Sequence, residues 1–266
     1  MSKSQDKFVE YYKEASLRPE TLRRFERIRE LAVAALGRDR YEQETLRIAD
    51  IGCGTGVQAT LWANDGHEVF GLDINRELVK EATIRADAQD LIIHYCLGSA
   101  DSLPWSSGSM DVCLVPELLE HVVNWQACLD EFARILRPNG VIYLSTTNRL
   151  CPFQQEFELP LYGWYPSRIK KYCERLAVTT KPHWVNYAKY PAVNWFDYYH
   201  LTREFRKRGI VSQDRVDLYA KGAGAGTKSV VSKMIAMVPP FRFALQVATP
   251  YSQVIGTKLD EVSADQ

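Results

Sequence analysis

The feature that most constrains the fold is an alternation of short apolar runs and amphipathic helical segments between residues 45 and 150. Parallel strands need helical crossover connections of this length. The pattern therefore predicts right-handed βαβ units and an open parallel α/β sheet with helices on both faces. The predicted strands are LRIADI (46–51), EVFGLDI (68–74), LIIHYCLGSA (91–100), MDVCLVPE (110–117) and VIYLSTTN (141–148). Before the fifth strand, NWQACLDEFARILRPNG (124–140) predicts an amphipathic helix that Pro-Asn-Gly ends.

Changes in composition and in the predicted pattern of strands and helices divide the chain into four segments. Residues 1–44 are a predicted N-terminal helical cap that stops at Gly37, and residues 45–150 are the α/β core. Residues 151–200 hold 13 of the chain's 30 aromatic residues, with one predicted helix and no strand–helix rhythm, which predicts an insertion that covers the substrate. Residues 201–266 are expected to complete the sheet, with a helix near 199–208, strands near 210–219 and 251–258, and an apolar segment at 229–249.

Composition excludes several classes of partner and site. The 33 lysines and arginines balance the 33 aspartates and glutamates, so no nucleic-acid partner is expected. The six cysteines show no CxxC spacing, which argues against a metal–thiolate site. The first residues lack the apolar run of a signal peptide, so a cytoplasmic protein is expected. Within the apolar segment, residues 234–247 predict either packing on the sheet or peripheral membrane contact.

The stretch RIADIGCGTG (47–56) places Gly52, Gly54 and Gly56 directly after the first strand. Glycines at this point let the backbone approach a ligand, and the helix that follows offers free N–H groups. A dinucleotide fingerprint needs its third small residue one position later, where Val57 stands. Asp50 would repel a pyrophosphate but suits a ligand with an ammonium group, so a dinucleotide is disfavoured.

Two further carboxylates follow the next predicted strands. Asp73 ends the second strand, where it can accept hydrogen bonds from ribose hydroxyls, and Asp101 follows the third, where it can accept one from an adenine amino group. Each of them alone is also an ordinary helix-capping residue. Together with Asp50 they line the carboxyl edge of one sheet, which is where open α/β sheets bind ligands.

In its motifs the chain resembles the class I S-adenosylmethionine-dependent methyltransferases, most closely the ubiquinone-biosynthesis O-methyltransferase branch. ADIGCGTG, GLDI, SADSLPW and LLEHV…DEFARILRPNGVIYLSTTNR match successive motifs over about residues 45–150. The resemblance implies a Rossmann-like sheet of seven strands, the last antiparallel, which binds S-adenosylmethionine and releases S-adenosylhomocysteine. The residues it assigns to the cofactor are Asp50, Gly52, Cys53, Gly54, Gly56, Asp73, Ile74, Ala100, Asp101, Ser102, Pro116 and Glu117.

The motif PELLEHV supplies the candidates for chemistry. On a helix, Glu117, Glu120 and His121 would share one face at i, i+3 and i+4. The resemblance implies that these three residues bind a Mg²⁺-type ion. The alternatives are that His121 acts alone as a base, or that the three residues are structural.

The expected reaction is O-methylation of a small or amphipathic acceptor, quinone-like or lipid-like. N- or C-methylation of another metabolite or of a glycan or lipid intermediate is the alternative reaction. A non-catalytic module that only binds the cofactor is the alternative of another class. The identity of the acceptor and the oligomeric state stay open.

Overall fold

The computed structural model describes residues 10, 12–154, 156–185, 192–218 and 238–260. It contains a seven-stranded sheet formed by β1 (Arg47–Ile51), β2 (Glu68–Asp73), β3 (Ile93–Leu97), β4 (Met110–Pro116), β5 (Leu136–Thr147), β6 (Ile210–Gln213) and β7 (Tyr251–Lys258). The α-helices are α1 (Pro19–Leu36), α2 (Arg38–Gln43), α3 (Val57–Asn64), α4 (Arg76–Asp87), α5 (Trp125–Ile135), α6 (Ser167–Thr179), α7 (Tyr198–Arg206), α8 (Arg215–Leu218) and α9 (Pro239–Ala248).

The strand order is β3-β2-β1-β4-β5-β7-β6. Strands β1 to β5 run parallel to one another, and β7 lies antiparallel between β5 and β6. The predicted α/β class, with its last strand antiparallel, is confirmed. The chain builds outwards from β1 to β3 and then returns to the other side of β1, and a crevice forms at the carboxyl ends of strands where the order reverses in this way.

The two faces of the sheet are buried against different helices. Strand β4 shows this directly, since Val112 and Leu114 belong to one hydrophobic cluster while Cys113 and Val115 belong to the other. Side chains of consecutive strand residues point to opposite faces, so both faces of β4 must be covered. Helices α1 and α3 contribute to the first cluster, and α5 and α7 to the second.

One predicted helix end agrees with the structure and one predicted strand end is wrong. Helix α5 ends at Ile135, just before the predicted Pro-Asn-Gly stop, because Pro138 has no N–H and disfavours a helical residue before it. The strand expected over 210–219 ends at Gln213 and gives way to α8. The carboxylate of Asp214 accepts the backbone N–H groups of Val216 and Asp217 at 2.8 and 3.0 Å, and so caps that short helix.

The insertion and the apolar segment also differ from expectation in detail. Part of the insertion has its own core, where Phe157 stacks on Tyr162 with ring centroids 4.2 Å apart. The prolines of the apolar segment begin a helix, because Pro239 and Pro240 stand in the first turn of α9, where a missing N–H costs nothing. Residues 219–237 lie outside the described residues. None of the helices in the described ranges is long and apolar enough to cross a membrane.

Candidate functional site

A cavity of about 660 Å³ lies at the carboxyl edge of the sheet. The turn after β1, the end of β4, the N-terminal helices and the insertion all contribute to its lining. Its volume is within the usual range for small-molecule sites. Seven of the predicted site residues line it, namely Asp50, Gly52, Cys53, Gly54, Pro116, Glu117 and His121.

The glycine-rich turn after β1 needs its glycines for two different reasons. The backbone of Gly52, Gly54 and Gly56 has φ values of 76°, 54° and 75°, a left-handed region that disfavours side chains. A Cβ on Gly56 would lie 2.3 Å from the hydroxyl oxygen of Tyr95, whereas a Cβ on Gly54 would meet nothing within 4 Å. Gly56 is therefore required by packing, and Gly54 leaves space along the cavity.

Asp50 and Asp73 form a pair of carboxylates beside this turn. Asp50 is buried, and its Oδ2 has no hydrogen-bond partner among the described residues. Burial, with a smaller effect of the nearby charge of Asp73, raises the pKa of Asp50 to about 7. Asp73 accepts the backbone N–H of Gly54 at 3.0 Å and that of Asn75 at 2.8 Å, and burial raises its pKa. The site therefore favours a ligand that brings positive charge to Asp50.

The remaining predicted cofactor residues do not line this cavity. Ile74 is 62% exposed just after β2. Ala100 is buried in the turn after β3, and Asp101 and Ser102 beside it are exposed. Their roles, like those of Gly56 and Asp73 towards a cofactor, stay predictions.

The motif PELLEHV is not helical, so the predicted shared helical face is wrong. Residues 117–124 form turns, and α5 begins only after Asn124, whose side chain caps it. Glu117 has a left-handed backbone, with φ of 51°, and its N–H donates to the carbonyl of Ser145 at 2.8 Å. That conformation directs the chain away from a helix immediately after β4.

The turn separates Glu117 from the other two candidate ligands. Oε1 of Glu117 pairs with Nη1 of Arg24 at 2.5 Å. Ligand atoms of Glu120 and His121 instead lie within 4.8 Å of one another and of a carboxylate oxygen of Glu156, which comes from the insertion. The candidate ligand atoms that the described residues bring within 4.8 Å of one another are thus those of Glu120, His121 and Glu156.

The electrostatics of this cluster favour a cation. Glu120 is fully buried; its Oε2 accepts the hydroxyl of Thr146 at 2.6 Å, and its Oε1 has no partner within the described part of the chain. Burial raises the pKa of Glu120 to about 8 and that of Glu156 to about 7, the latter assisted by the charge of Glu120. His121 Nε2 lies 3.9 Å from Glu156 Oε2, beyond hydrogen-bond distance.

Three residues of the site have no signal in the sequence. Arg24 and Glu156 line the cavity from segments far from the core motifs. Asn194 does not line it but holds the turn in place, because its side-chain amide donates to the carbonyls of Leu119 at 3.1 Å and Val122 at 2.6 Å. Its backbone N–H also donates to the carbonyl of Glu120 at 3.1 Å. Only the packing of the insertion on the core brings these groups together.

Comparison with known families agrees with this arrangement. Residues 49–144 match the profile of a family described as "Methyltransferase domain". The matched segment makes up about a third of the chain. It contains the glycine-rich turn, Asp73, Asp101 and the cluster residues Glu120 and His121, whereas Arg24 and Glu156 lie outside it.

Relatives of known name match only part of the chain. A ubiquinone biosynthesis O-methyltransferase of Maricaulis maris is 34% identical over 142 residues, which make up 52% of this chain and 55% of that protein. The chain spans about half the length of the curated relatives it matches. The similarity is confined to about half of the chain and leaves the rest without a close counterpart in these alignments.

Solved structures share the fold over most of the chain. An S-adenosylmethionine-dependent methyltransferase from Mesorhizobium loti has a TM-score of 0.53 at 18% identity, and the match covers 86% of this chain and 98% of that one. The [4+2]-cyclase SpnF has a TM-score of 0.55 at 16% identity, and its match covers 90% of this chain and 82% of that one. Since a cyclase shares the fold, the site residues must carry the argument for methyl transfer.

Proposed function

We propose that the protein is an S-adenosylmethionine-dependent methyltransferase that releases S-adenosylhomocysteine. The observation that carries the proposal is the buried, unpartnered carboxylate oxygen of Asp50 beside the bare backbone of Gly52 and Gly54. A buried carboxylate without a partner is costly unless a cation joins it. The cofactor supplies positive charge, and the matched methyltransferase domain supports this choice over a dinucleotide.

The ion pair between Arg24 and Glu117 suits the amino-acid end of this cofactor. Nε of Arg24 has no hydrogen-bond partner among the residues described, so the guanidinium can still donate to a carboxylate. Glu117 and Asp50 line the same cavity and can accept an ammonium group. For the nucleoside end we keep the predicted roles of Asp73 towards ribose and Asp101 towards adenine, flanked by Ile74, Ala100 and Ser102.

His121 is the proposed base for O-methylation of a small, quinone-like or lipid-like acceptor. It lines the cavity, and its Nδ1 has no partner in the described ranges. His121 takes the proton of the acceptor hydroxyl while the acceptor oxygen bonds to the methyl carbon and the carbon–sulfur bond breaks. Holding the two reactants in line contributes roughly 7–11 kcal/mol, so positioning carries most of the acceleration.

A divalent cation fits the cluster of Glu120, His121 and Glu156. The unpartnered Oε1 of Glu120 and Nδ1 of His121 are free to donate electron pairs, and Glu156 adds a carboxylate within the same 4.8 Å group. Carboxylates suit Mg²⁺, and an imidazole extends the range to Mn²⁺ and Zn²⁺. Such an ion lowers the pKa of an acceptor hydroxyl that it binds. We therefore propose this trio as the cation ligands. A neutral imidazole has one free electron pair, so His121 would act as the base only where no ion is bound, and a bound ion would itself activate the acceptor hydroxyl.

An amphipathic acceptor resides at a membrane, and we propose that the predicted segment 234–247 makes peripheral contact there. Residues 238–247 of that segment are described, and they lie mostly in α9. Tyr251, three residues beyond the end of α9, lines the cavity. A membrane contact at this helix would thus bring an apolar acceptor close to the reaction site.

The proposed activity is tested by label transfer. The protein is incubated with methyl-labelled S-adenosylmethionine and a whole-cell extract, with and without Mg²⁺ or Mn²⁺, and the products are partitioned between organic and aqueous phases. Metal-dependent label in the organic phase is the expected result. Label in the aqueous phase points to a polar metabolite, and S-adenosylhomocysteine binding without any transfer indicates a non-catalytic module.

Two matched variants separate the cofactor site from the cation site. Glu156→Gln is expected to abolish the stimulation by metal while leaving S-adenosylhomocysteine affinity unchanged. Glu117→Gln is expected to weaken S-adenosylhomocysteine binding while metal still stimulates. If Glu117→Gln abolished the stimulation by metal and Glu156→Gln did not, Glu117 rather than Glu156 would be a cation ligand, which would contradict the proposed trio. Stronger binding of NAD than of S-adenosylhomocysteine in the same titration would refute the cofactor assignment.

A further inference from the structure

Helix α9 directs its polar side chains inwards. Arg242 and Gln246 stand one turn apart and both face the protein. Nη2 of Arg242 lies 2.7 Å from Oδ2 of Asp217, and Nε2 of Gln246 donates to Oδ2 of Asp214 at 3.0 Å. Gln246 is the one buried residue of this helix, whose other described positions are exposed or half-buried. A surface helix ordinarily buries its apolar stripe, so the orientation of α9 is inverted.

The outer side of α9 is correspondingly apolar. Phe241 is 64% exposed and Phe243 is 50% exposed, and the exposed positions next to them are Pro240, Ala244 and Ala248. The ring of Phe243 stacks on Tyr199 of α7, with centroids 6.5 Å apart. The apolar surface therefore continues from α9 onto α7.

Helix α7 adds positive charge to the same surface. Tyr199, Arg203 and Arg206 follow one another at i, i+4 and i+7, so they share a face, and all three are exposed. Neither arginine has an ion-pair partner within the described ranges. The surface thus combines exposed aromatic rings with two uncompensated cations.

The carboxylates near this surface in sequence are already ion-paired. Asp197 pairs with Arg149, Asp214 and Asp217 share Arg242, and Glu204 pairs with Lys207 and Arg208. The chain as a whole has a formal net charge of zero, so the local excess of positive charge is a departure from the average surface. Aromatic side chains beside unpaired arginines complement the interface of an anionic bilayer.

We propose that Tyr199, Arg203, Arg206, Phe241 and Phe243, here called the α7–α9 surface, bind an anionic phospholipid membrane. The inference rests on the membrane contact proposed above and adds its lipid selectivity and the contribution of α7. A symmetric contact between two copies of this surface would bring together four arginines with no carboxylate on the surface itself to pair with them. From Ala248 to Tyr251 the chain spans at most about 11 Å, so the bound membrane lies beside the cavity.

The test is sedimentation of the full chain with vesicles, without cofactor. Vesicles of phosphatidylcholine alone are compared with vesicles that also contain phosphatidylglycerol. The unaltered protein is expected to bind only the second kind. At about 1 kcal/mol per basic residue, Arg203→Gln with Arg206→Gln lowers that binding about 30-fold. Phe241→Ser with Phe243→Ser tests the apolar contribution and is expected to lower the binding as well.

A matched control removes the same charge elsewhere. Arg168 and Lys171 are exposed on α6, and Arg168→Gln with Lys171→Gln is expected to leave vesicle binding unchanged. Equal loss in this control, equal binding to both kinds of vesicle, or no binding at all would overturn the proposal. So would a concentration-dependent dimer that the Phe241 and Phe243 changes abolish. S-adenosylhomocysteine titration of the same variants tests the methyltransferase proposal separately. A variant that keeps its affinity for S-adenosylhomocysteine but no longer binds vesicles has lost only the membrane contact.

Discussion

Replacing Gly56 by alanine should destabilise the protein much more than the same change at Gly54. Both residues have a left-handed backbone, with φ of 75° and 54°, and an alanine in that region costs about 1–2 kcal/mol. At Gly56 the new Cβ would also lie 2.3 Å from the Tyr95 hydroxyl oxygen and 2.8 Å from the Cβ of Ala82. Overpacking of this kind adds about 1–3 kcal/mol. The expected losses are therefore about 2–5 kcal/mol for Gly56→Ala and about 1–2 kcal/mol for Gly54→Ala.

Urea denaturation of the two variants and the unaltered protein measures the difference in free energy of unfolding. A second change, Tyr95→Phe, removes the atom closest to the new Cβ and should restore part of the loss at Gly56, while the Ala82 contact remains. The same change should not rescue Gly54→Ala. Since Gly54 lines the cavity, Gly54→Ala should instead weaken S-adenosylhomocysteine binding. Equal destabilisation by the two alanines, or no rescue by Tyr95→Phe, would refute the distinction between a packing glycine and a ligand-facing glycine.

Three further results are expected. Burial raises the pKa of Glu120 from 4.5 to about 8, so between these pH values the folded state holds a proton that the unfolded state loses. The free energy of unfolding therefore falls as pH rises through that window. Glu120→Gln should remove this dependence and stabilise the protein at pH 8 by on the order of 4 kcal/mol, measured by urea denaturation. Because the pKa of Asp50 is about 7, its carboxylate is protonated at lower pH, and S-adenosylhomocysteine affinity should fall up to about tenfold for each pH unit below 7. Calorimetric titration should find that the Asp50→Asn variant binds S-adenosylhomocysteine weakly and that its affinity does not depend on pH. Asn194→Ala leaves the carbonyls of Leu119 and Val122 without their side-chain donor. This should cost about 1–3 kcal/mol of stability and lower kcat while leaving S-adenosylhomocysteine affinity intact. An unchanged kcat would show that these hydrogen bonds do not position the turn that holds Glu120 and His121.

The core of the fold could be predicted from short-range patterns. Strands β1, β2, β4 and β7 lie within one or two residues of the predicted runs, and the antiparallel last strand agrees with the family resemblance. Apolar periodicity and glycine placement act over a few residues, so they are readable without knowledge of the rest of the chain. The strand expected over 210–219 was wrong beyond Gln213, because the side chain of Asp214 caps a short helix there.

The sequence by itself determined the strand–helix order and the glycine turn beside Asp50. Only the tertiary structure decided which acidic side chains meet at the candidate site. PELLEHV has the spacing of a helix, but the left-handed backbone of Glu117 and the hydrogen bonds from Asn194 hold it as a turn. Glu117 therefore pairs with Arg24, and Glu156 from the insertion joins Glu120 and His121. The physical reason is that strands, helices and turns depend on interactions over a few residues, whereas a cluster of charged side chains depends on how segments distant in sequence pack together.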